Sequence, residues 1–234
     1  MLRSGLFFNA VAAPYERLTR TRVWEDHCAQ MARELPPDAR RVLDLGCGPG
    51  NSTAHLLRAV GAGAAGADVA LPMLARARRR EPSLSLLCAD GARLPVRSSS
   101  LDAVTFHSVL YLLPERGAAL REVARVLRPG GRAVLLEPHA GVRATVVGLA
   151  RALPTPRWFL TALVWRVMSR AYGRFTAEDL RLRLAEVGLR VLKMEEALGG
   201  LGLLAVAERP TAAADVAGAA QGPAMARAMR PSQA

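Results

Sequence analysis

The feature that most constrains the fold is the alternation of short apolar segments with helical ones between residues 41 and 137. Each apolar segment is five or six residues long and is bounded by turn residues, as is typical of strands buried in a sheet. The predicted strands are residues 41–46, 64–68, 84–88, 101–106 and 133–137, and the predicted helices between them are residues 52–60, 72–80 and 115–127. Short connections between alternating strands and helices predict a parallel sheet that is covered on both faces.

The two ends of the chain add to this pattern. Residues 9–35 are predicted to be helical and to end at Pro36-Pro37, which cannot continue a helix. Residues 189–198 and 201–207 flank Gly199-Gly200, a link that favours an antiparallel hairpin. The predicted fold class is therefore α/β, a Rossmann-like, seven-stranded, mostly parallel sheet with helices on both faces and an antiparallel C-terminal hairpin.

The same pattern divides the chain into regions. The predicted division is an N-terminal helical cap (1–40), a cofactor-binding core (41–140), a lid or substrate insertion (141–175), a C-terminal helix with the hairpin (176–209) and a disordered tail (210–234). The tail is rich in Ala, Gly, Pro and Gln and has few large apolar residues.

Composition narrows the environment and the partners. Cys28, Cys47 and Cys88 are scattered and lack C-x-x-C spacing, which argues against a disulfide framework or a structural metal site and favours a reducing cytoplasm. The formal charge of +12 comes almost entirely from arginine, since Lys193 is the only lysine. This charge permits attraction to a membrane surface, to nucleic acid or to an acidic metabolite, but selects none of them. No signal peptide and no membrane-spanning run is predicted.

One loop carries the sharpest local signal. The first predicted strand leads into Gly46, Gly48 and Gly50 within the sequence LGCGPG, and a helix is predicted to follow. Glycine lets the backbone approach a ligand closely and adopt positive φ angles, and a helix N-terminus attracts anionic groups. A dinucleotide site would show G-x-G-x-x-G at this turn. This loop has G-x-G-x-G instead, with Asp44 two residues before its first glycine.

The sequence DLGCGPG, which includes Cys47, resembles the first motif of the class I S-adenosylmethionine-dependent methyltransferases. The resemblance implies that S-adenosyl-L-methionine is the cofactor. It also implies that Asp44 helps to hold the α-amino group of the cofactor, directly or through water, and that Gly46 and Gly48 face its methionyl and ribosyl parts.

Asp68 ends the second predicted strand, where a carboxylate can reach both ribose hydroxyls with its two oxygens. It resembles the acidic second motif of the same family. The resemblance implies that Val69 and Met73 pack on the adenine ring.

The resemblance continues over residues 42–137 in order. Asp90, followed by Gly91, ends the third strand and resembles the residue that accepts a hydrogen bond from the adenine amino group. Phe106 ends the fourth strand and would lie near the sulfonium. A helix cap or a solvated turn could explain one of these acids, but three at successive strand ends favour a cofactor site.

Methyl transfer needs a base only if the attacking atom must lose a proton. The candidate catalytic residues are His107 and Tyr111 after the fourth strand and His139 after the fifth, because the carboxyl ends of these strands form one edge of the sheet. The alternative for each histidine is a hydrogen-bonded structural role.

The methyl acceptor is predicted to be a small, lipophilic or aromatic molecule. Five of the eleven aromatic residues lie between Trp158 and Phe175, and Trp158, Trp165 and the N-terminal Tyr15 are the candidate substrate residues. The segment 157–168 is apolar on several sides, so it is predicted to complete the core, to cover a lipophilic ligand or to touch a membrane surface. The chain is also similar to methyltransferases of quinone, lipid and secondary-metabolite pathways.

Three different functions remain open beside this one. A nucleic-acid methyltransferase is suggested by the charge, but the Asn/Asp-Pro-Pro-aromatic sequence of amino-group base methyltransferases is replaced by Phe106-His-Ser-Val, and the arginines of residues 76–80 are interpreted as a solvated helix face. A cofactor-binding protein of the same fold without transfer activity is the second, and a nicotinamide oxidoreductase is the third.

Overall fold

The computed structural model describes residues 16–17, 21–141 and 156–211, and these residues contain six α-helices of ten residues or more and seven strands. The helices are α1 (Arg22–Arg33), α2 (Asn51–Val60), α3 (Leu71–Arg80), α4 (Arg116–Val126), α5 (Pro156–Tyr172) and α6 (Ala177–Glu186). The strands are β1 (Val42–Leu45), β2 (Ala64–Asp68), β3 (Ser85–Cys88), β4 (Leu101–His107), β5 (Leu127–Pro138), β6 (Arg190–Ala197) and β7 (Gly202–Glu208).

The strands form one sheet in the order β3-β2-β1-β4-β5-β7-β6. The first five are parallel, and β7 pairs antiparallel with both β5 and β6. Helices cover the sheet, and its most apolar strand segments, such as Val134–Leu136, are fully buried because they lie between the helical layers. The predicted fold class and the C-terminal hairpin are confirmed.

Two predicted boundaries are wrong. The N-terminal helix is not continuous from residue 9 to residue 35, because Thr21 has an extended backbone and its hydroxyl caps α1 by accepting a hydrogen bond from Trp24 N. The fifth strand begins at Leu127, not at Ala133, and it runs through Pro129-Gly130-Gly131. This early start is stabilised by pairing of Leu127 with Leu101 and by backbone hydrogen bonds that join Arg209 to the two glycines.

Helix α5 packs against the rest of the molecule through the face that carries its tryptophans. Trp158 and Trp165 are buried, whereas Leu160, Leu163 and Val167 on the other side are 45–62% exposed. The tryptophan face therefore packs inward, and an aliphatic stripe faces solvent. No helix in the described ranges has the length and apolar character needed to cross a bilayer.

Candidate functional site

The site lies where the strand order reverses around β1, which has β2 on one side and β4 on the other. The register places Asp44 beside Gly66 of β2 and Thr105 of β4, and it places Asp68 beside Cys88 of β3. In open α/β sheets, ligands bind outside the carboxyl ends of the strands at such a reversal. The three strand-end acids predicted from the sequence share this edge.

The glycine loop between β1 and α2 is fixed by contacts within the chain. Gly46 has φ +69°, and a methyl group on its Cα would overlap the side chain of Val109. Gly50 has φ +82°, and a methyl group there would lie 2.9 Å from Cβ of Ala77. These positive φ angles and close approaches make glycine necessary at both positions. Gly48 instead presents its N–H to an Asp68 oxygen at 2.9 Å.

Asp44 is completely buried under the loop, where three hydroxyl groups donate hydrogen bonds to it. Ser52 Oγ and Thr53 Oγ1, in the first turn of α2, donate to Oδ2 at 2.5 and 2.6 Å, and Thr105 Oγ1 of β4 donates to Oδ1 at 2.8 Å. A carboxylate offers about four lone-pair positions, so one acceptor position on Oδ1 remains. The three hydroxyl residues were not predicted; a Ser-Thr pair at the start of α2 was the available signal.

The charges at this edge favour a cationic ligand. Burial raises the pKa of Asp44, the hydrogen bonds from Ser52, Thr53 and Thr105 lower it, and the negative charge of Asp68 raises it further. Burial also raises the pKa of Asp68, against the lowering effect of backbone N–H groups that include those of Ala70 and Gly48. A nearby positive charge would stabilise both carboxylates.

Asp68 keeps acceptor capacity after its contacts within the chain are counted. Its Oδ1 accepts from Ala70 N at 2.8 Å and its Oδ2 accepts from Gly48 N at 2.9 Å. One lone pair on each oxygen is thus left, which matches the two adjacent hydroxyls of a ribose.

The remaining predicted cofactor residues lie in different environments. Asp90 is exposed and its Oδ1 accepts from Ala92 N at 2.9 Å. Gly91 is buried, and its Cα faces Leu45 and Leu113. Of the residues expected around the adenine and the sulfonium, Val69 is 56% exposed, whereas Met73 and Phe106 are enclosed in the core.

Two arginines of α3 bind the N-terminal part of the chain. Arg76 forms an ion pair with Glu16 at 2.8 Å, and Arg80 contacts Asn51 and pairs with Glu25 of α1 at 3.4 Å. The interpretation of residues 76–80 as a solvated helix face is therefore wrong at these two positions. Residues on α1, α2 and α3 are joined beside the glycine loop.

An aromatic cluster lies at the end of β4. The ring of His107 contacts Trp24 with 4.4 Å between centroids. Trp158 and Trp165 of α5 lie 6.3 and 6.1 Å from Trp24, and Trp165 Nε1 donates to Ser108 Oγ at 2.6 Å. The sequence predicted roles for His107, Trp158 and Trp165 but missed Trp24, although a large aromatic residue on the N-terminal helix was a visible signal.

His107 is held in its neutral form. Burial, together with the charges of His27 and His55, lowers its pKa to about 3. Its Nδ1 lies 3.3 Å from Cys28 Sγ, and burial raises the pKa of that thiol, so Cys28 can donate its proton. In the tautomer that accepts from Cys28, the imidazole proton lies on Nε2, which is buried and has no hydrogen-bond partner among the described residues.

The two remaining candidate catalytic residues flank this cluster. Tyr111 is buried, and its backbone carbonyl accepts a hydrogen bond from Arg116 at 2.7 Å. His139 is partly buried, with Nδ1 3.3 Å from the carbonyl of Gly200 and 3.9 Å from Glu196. Tyr15 lies outside the described residues.

Glu137 at the end of β5 is a further buried carboxylate at this edge, and it was not predicted from the sequence. Its oxygens accept from the backbone N–H groups of Val109, Leu110 and Tyr111 at 3.0, 2.8 and 3.2 Å. Its position at the end of a strand, like that of Asp44 and Asp68, was the signal. In the described ranges no cluster of three or more His, Cys, Asp or Glu side chains could hold a metal ion.

Known proteins resemble the chain in both sequence and fold. The family described as a methyltransferase domain matches residues 43–135. A demethylmenaquinone methyltransferase from Thermus thermophilus is 34% identical over 226 residues, which cover 87% of this chain and 100% of that protein.

Two solved structures have the same fold. One belongs to the complex between the Haloferax volcanii Trm112 methyltransferase activator and a methyltransferase, with a TM-score of 0.69, 20% identity and coverage of 87% of this chain and 98% of that one. The second is a SAM-dependent methyltransferase from Thermotoga maritima, with a TM-score of 0.65, 16% identity and coverage of 88% and 99%.

Proposed function

The chain belongs to the class I S-adenosylmethionine-dependent methyltransferases, and we propose that it methylates a small, lipophilic aromatic acceptor of the quinol type. One observation carries the choice of acceptor. A cluster of buried rings, formed by Trp24, His107, Trp158 and Trp165, lies at the same sheet edge as the glycine loop and its carboxylates. Aromatic walls with a single convergent polar group are typical of sites for flat organic molecules.

We assign the binding of the methyl donor to the carboxylates that can accept further hydrogen bonds. Asp68 would bind the two ribose hydroxyls, and Asp44 would accept from the α-amino group, directly or through one water molecule. Gly48 and Asp68 are hydrogen-bonded to each other, which keeps the glycine loop and the ribose-binding carboxylate in a fixed relative position. Asp90 would accept from the adenine amino group. S-adenosyl-L-methionine supplies an activated methyl group and two positive charges, which suit the buried carboxylates.

The contribution of the protein to the reaction is then mainly positional. Holding the acceptor in line with the methyl group and excluding water supplies much of the rate in such a transfer. Trp24 on α1 and the two tryptophans on α5 would provide the apolar walls, since both helices reach the end of β4.

We assign His107 as the hydrogen-bond partner of the polar group on the methyl acceptor. In the tautomer that accepts from Cys28, its Nε2 is a buried donor without a described partner, and such a group costs free energy until it is paired. An oxygen on the aromatic ring of the acceptor would satisfy it. With a pKa of about 3, His107 would act as a neutral hydrogen-bond donor, not as a base. His139 stays the candidate general base of this edge, and its Nδ1 lies 3.3 Å from the carbonyl of Gly200 and 3.9 Å from Glu196.

The similarity to the Thermus thermophilus demethylmenaquinone methyltransferase supports the quinol class. A reduced naphthoquinone with a free ring position is electron-rich, so a ring carbon or a hydroxyl oxygen can bond to the methyl group as the bond from that methyl group to sulfur breaks, with release of the proton from the attacking carbon or hydroxyl. The same site would accept further hydroxylated aromatic molecules of similar size.

A label-transfer assay tests the proposal. The protein is incubated with S-adenosyl-L-methionine labelled in the methyl group and with a panel of reduced short-chain naphthoquinones, catechols and structured RNA. Saturable labelling of an aromatic acceptor is expected. Labelling of RNA alone, or saturable binding of S-adenosylhomocysteine without labelling of any aromatic acceptor, would overturn the assignment of the acceptor class.

A further inference from the structure

We propose that Glu137 is a positioning residue that holds the loop after β4 in register with both the glycine loop and helix α5. Its carboxylate is completely buried at the carboxyl end of β5. Oε1 accepts from the N–H groups of Val109 and Leu110, and Oε2 accepts from that of Tyr111. Three successive backbone donors therefore converge on one side chain of the neighbouring strand.

A carboxyl group suits this arrangement better than an amide. The two oxygens of a glutamate can accept all three hydrogen bonds, whereas a glutamine has one oxygen and would turn an NH2 group toward a backbone N–H. A buried N–H without an acceptor is unfavourable, so a glutamine at this position would displace part of the loop. Burial raises the pKa of Glu137 to about 7, against the lowering effects of these backbone N–H groups and of the charge of Arg116.

On the donor side, the loop touches the turn that follows β1. The side chain of Val109 lies against Cα of Gly46, at the place that a β-carbon would occupy. The backbone of Val109 is bound to Glu137. A shift of Val109 would therefore move the first glycine of the cofactor loop, or leave a gap beside it.

On the acceptor side, the same loop is attached to α5 at two places. Ser108, which has φ +64°, accepts the hydrogen bond from Trp165 Nε1. Arg116 donates to the carbonyl of Tyr111 and to that of Tyr172, the last residue of α5. Ser108 directly precedes the three residues whose N–H groups bind Glu137, and Tyr111 is the last of those three. One buried carboxylate thus links the two halves of the site.

Hydrogen exchange measures the link without any acceptor. In Glu137→Gln, faster exchange is expected at the amides of residues 109–111 and also in residues 46–48 and 158–172. The matched control is Glu122→Gln, because Glu122 also accepts a backbone N–H (Leu94 N at 2.7 Å) but lies on α4 and pairs with Arg125. Faster exchange confined to residues 109–111 would reduce Glu137 to a local structural role and overturn the proposal.

Binding and turnover give the second readout, below the melting temperature of the variant. The inference rests on the proposed function only where it concerns binding of the methyl acceptor. The Kd for S-adenosylhomocysteine and the KM for the acceptor are both expected to rise in Glu137→Gln, each by about tenfold, the effect of about 1.4 kcal/mol. Both are expected to stay unchanged in Glu122→Gln. A lower melting temperature with unchanged Kd and KM would contradict the positioning role. Should the wild type methylate no aromatic acceptor, the acceptor assignment fails, while exchange and S-adenosylhomocysteine binding still test Glu137.

Discussion

Replacing Asp68 by asparagine removes a negative charge and half of the acceptor positions at the proposed ribose site. In the structure, two of about four lone pairs on this carboxylate are occupied by Gly48 N and Ala70 N. The single oxygen of an asparagine cannot serve these two donors and two ribose hydroxyls together. The loss of one hydrogen bond to a charged group corresponds to about 1.5–3 kcal/mol. We therefore expect the Kd for S-adenosylhomocysteine to rise about 10- to 150-fold.

Titration calorimetry with S-adenosylhomocysteine measures this effect. Asp179→Asn is the matched control, because it removes the same charge from a pair with Arg183 on α6, away from the sheet edge. Since burial raises the pKa of Asp68, binding to the wild type should also weaken as the pH falls and the carboxylate becomes protonated. An unchanged Kd in Asp68→Asn would refute the assignment of the ribose to this residue.

Single contacts in the structure give three more predictions. Gly46→Ala should lower the free energy of unfolding, measured in urea, by about 2–5 kcal/mol, because alanine is strained at a positive φ and its methyl group would overlap Val109. Gly188→Ala, at a glycine that has φ +76° but open space around it, should lose only about 1–2 kcal/mol; equal losses would contradict the overlap. His107→Phe should raise the KM for the acceptor about tenfold with the Kd for S-adenosylhomocysteine unchanged, and the reverse pattern would place His107 on the donor side. Burial raises the pKa of Glu137 from 4.5 to about 7, so its contribution to stability is complete below pH 4.5 and is lost as the pH rises through 7. The unfolding free energy of the wild type, relative to Glu137→Gln, should therefore fall by about 3 kcal/mol from pH 4.5 to 8, and a constant difference would count against the raised pKa.

The order and type of most elements follow from the sequence because the parallel strands are buried on both faces. A segment such as residues 64–68 has few polar side chains and ends at an acid, so its limits are marked by the residues themselves. The start of β5 is different. Leu127–Gly131 contains a proline and two glycines, which indicate a turn, and it forms a strand only because Leu101 and Arg209 lie beside it. Such pairing partners are distant in sequence and cannot be deduced from local propensity.

The site was predictable to a similar degree. The positions of Asp44 and Asp68 at strand ends indicated that they belong to one site, since the carboxyl ends of parallel strands lie at the same edge of the sheet. The three hydroxyl groups around Asp44, and the pairing of Arg76 with Glu16, depend on how separate elements pack and were therefore missed. The same holds for Glu137, whose partners lie in a loop 26–28 residues earlier in the chain.

A crystal structure of the complex with S-adenosylhomocysteine tests the central claim most directly. The two ribose hydroxyls should lie within about 3 Å of the oxygens of Asp68, and the amino group of the ligand should reach Oδ1 of Asp44 directly or through one water molecule. A nucleoside bound elsewhere, with Asp68 contacting only Gly48 and Ala70, would contradict the account.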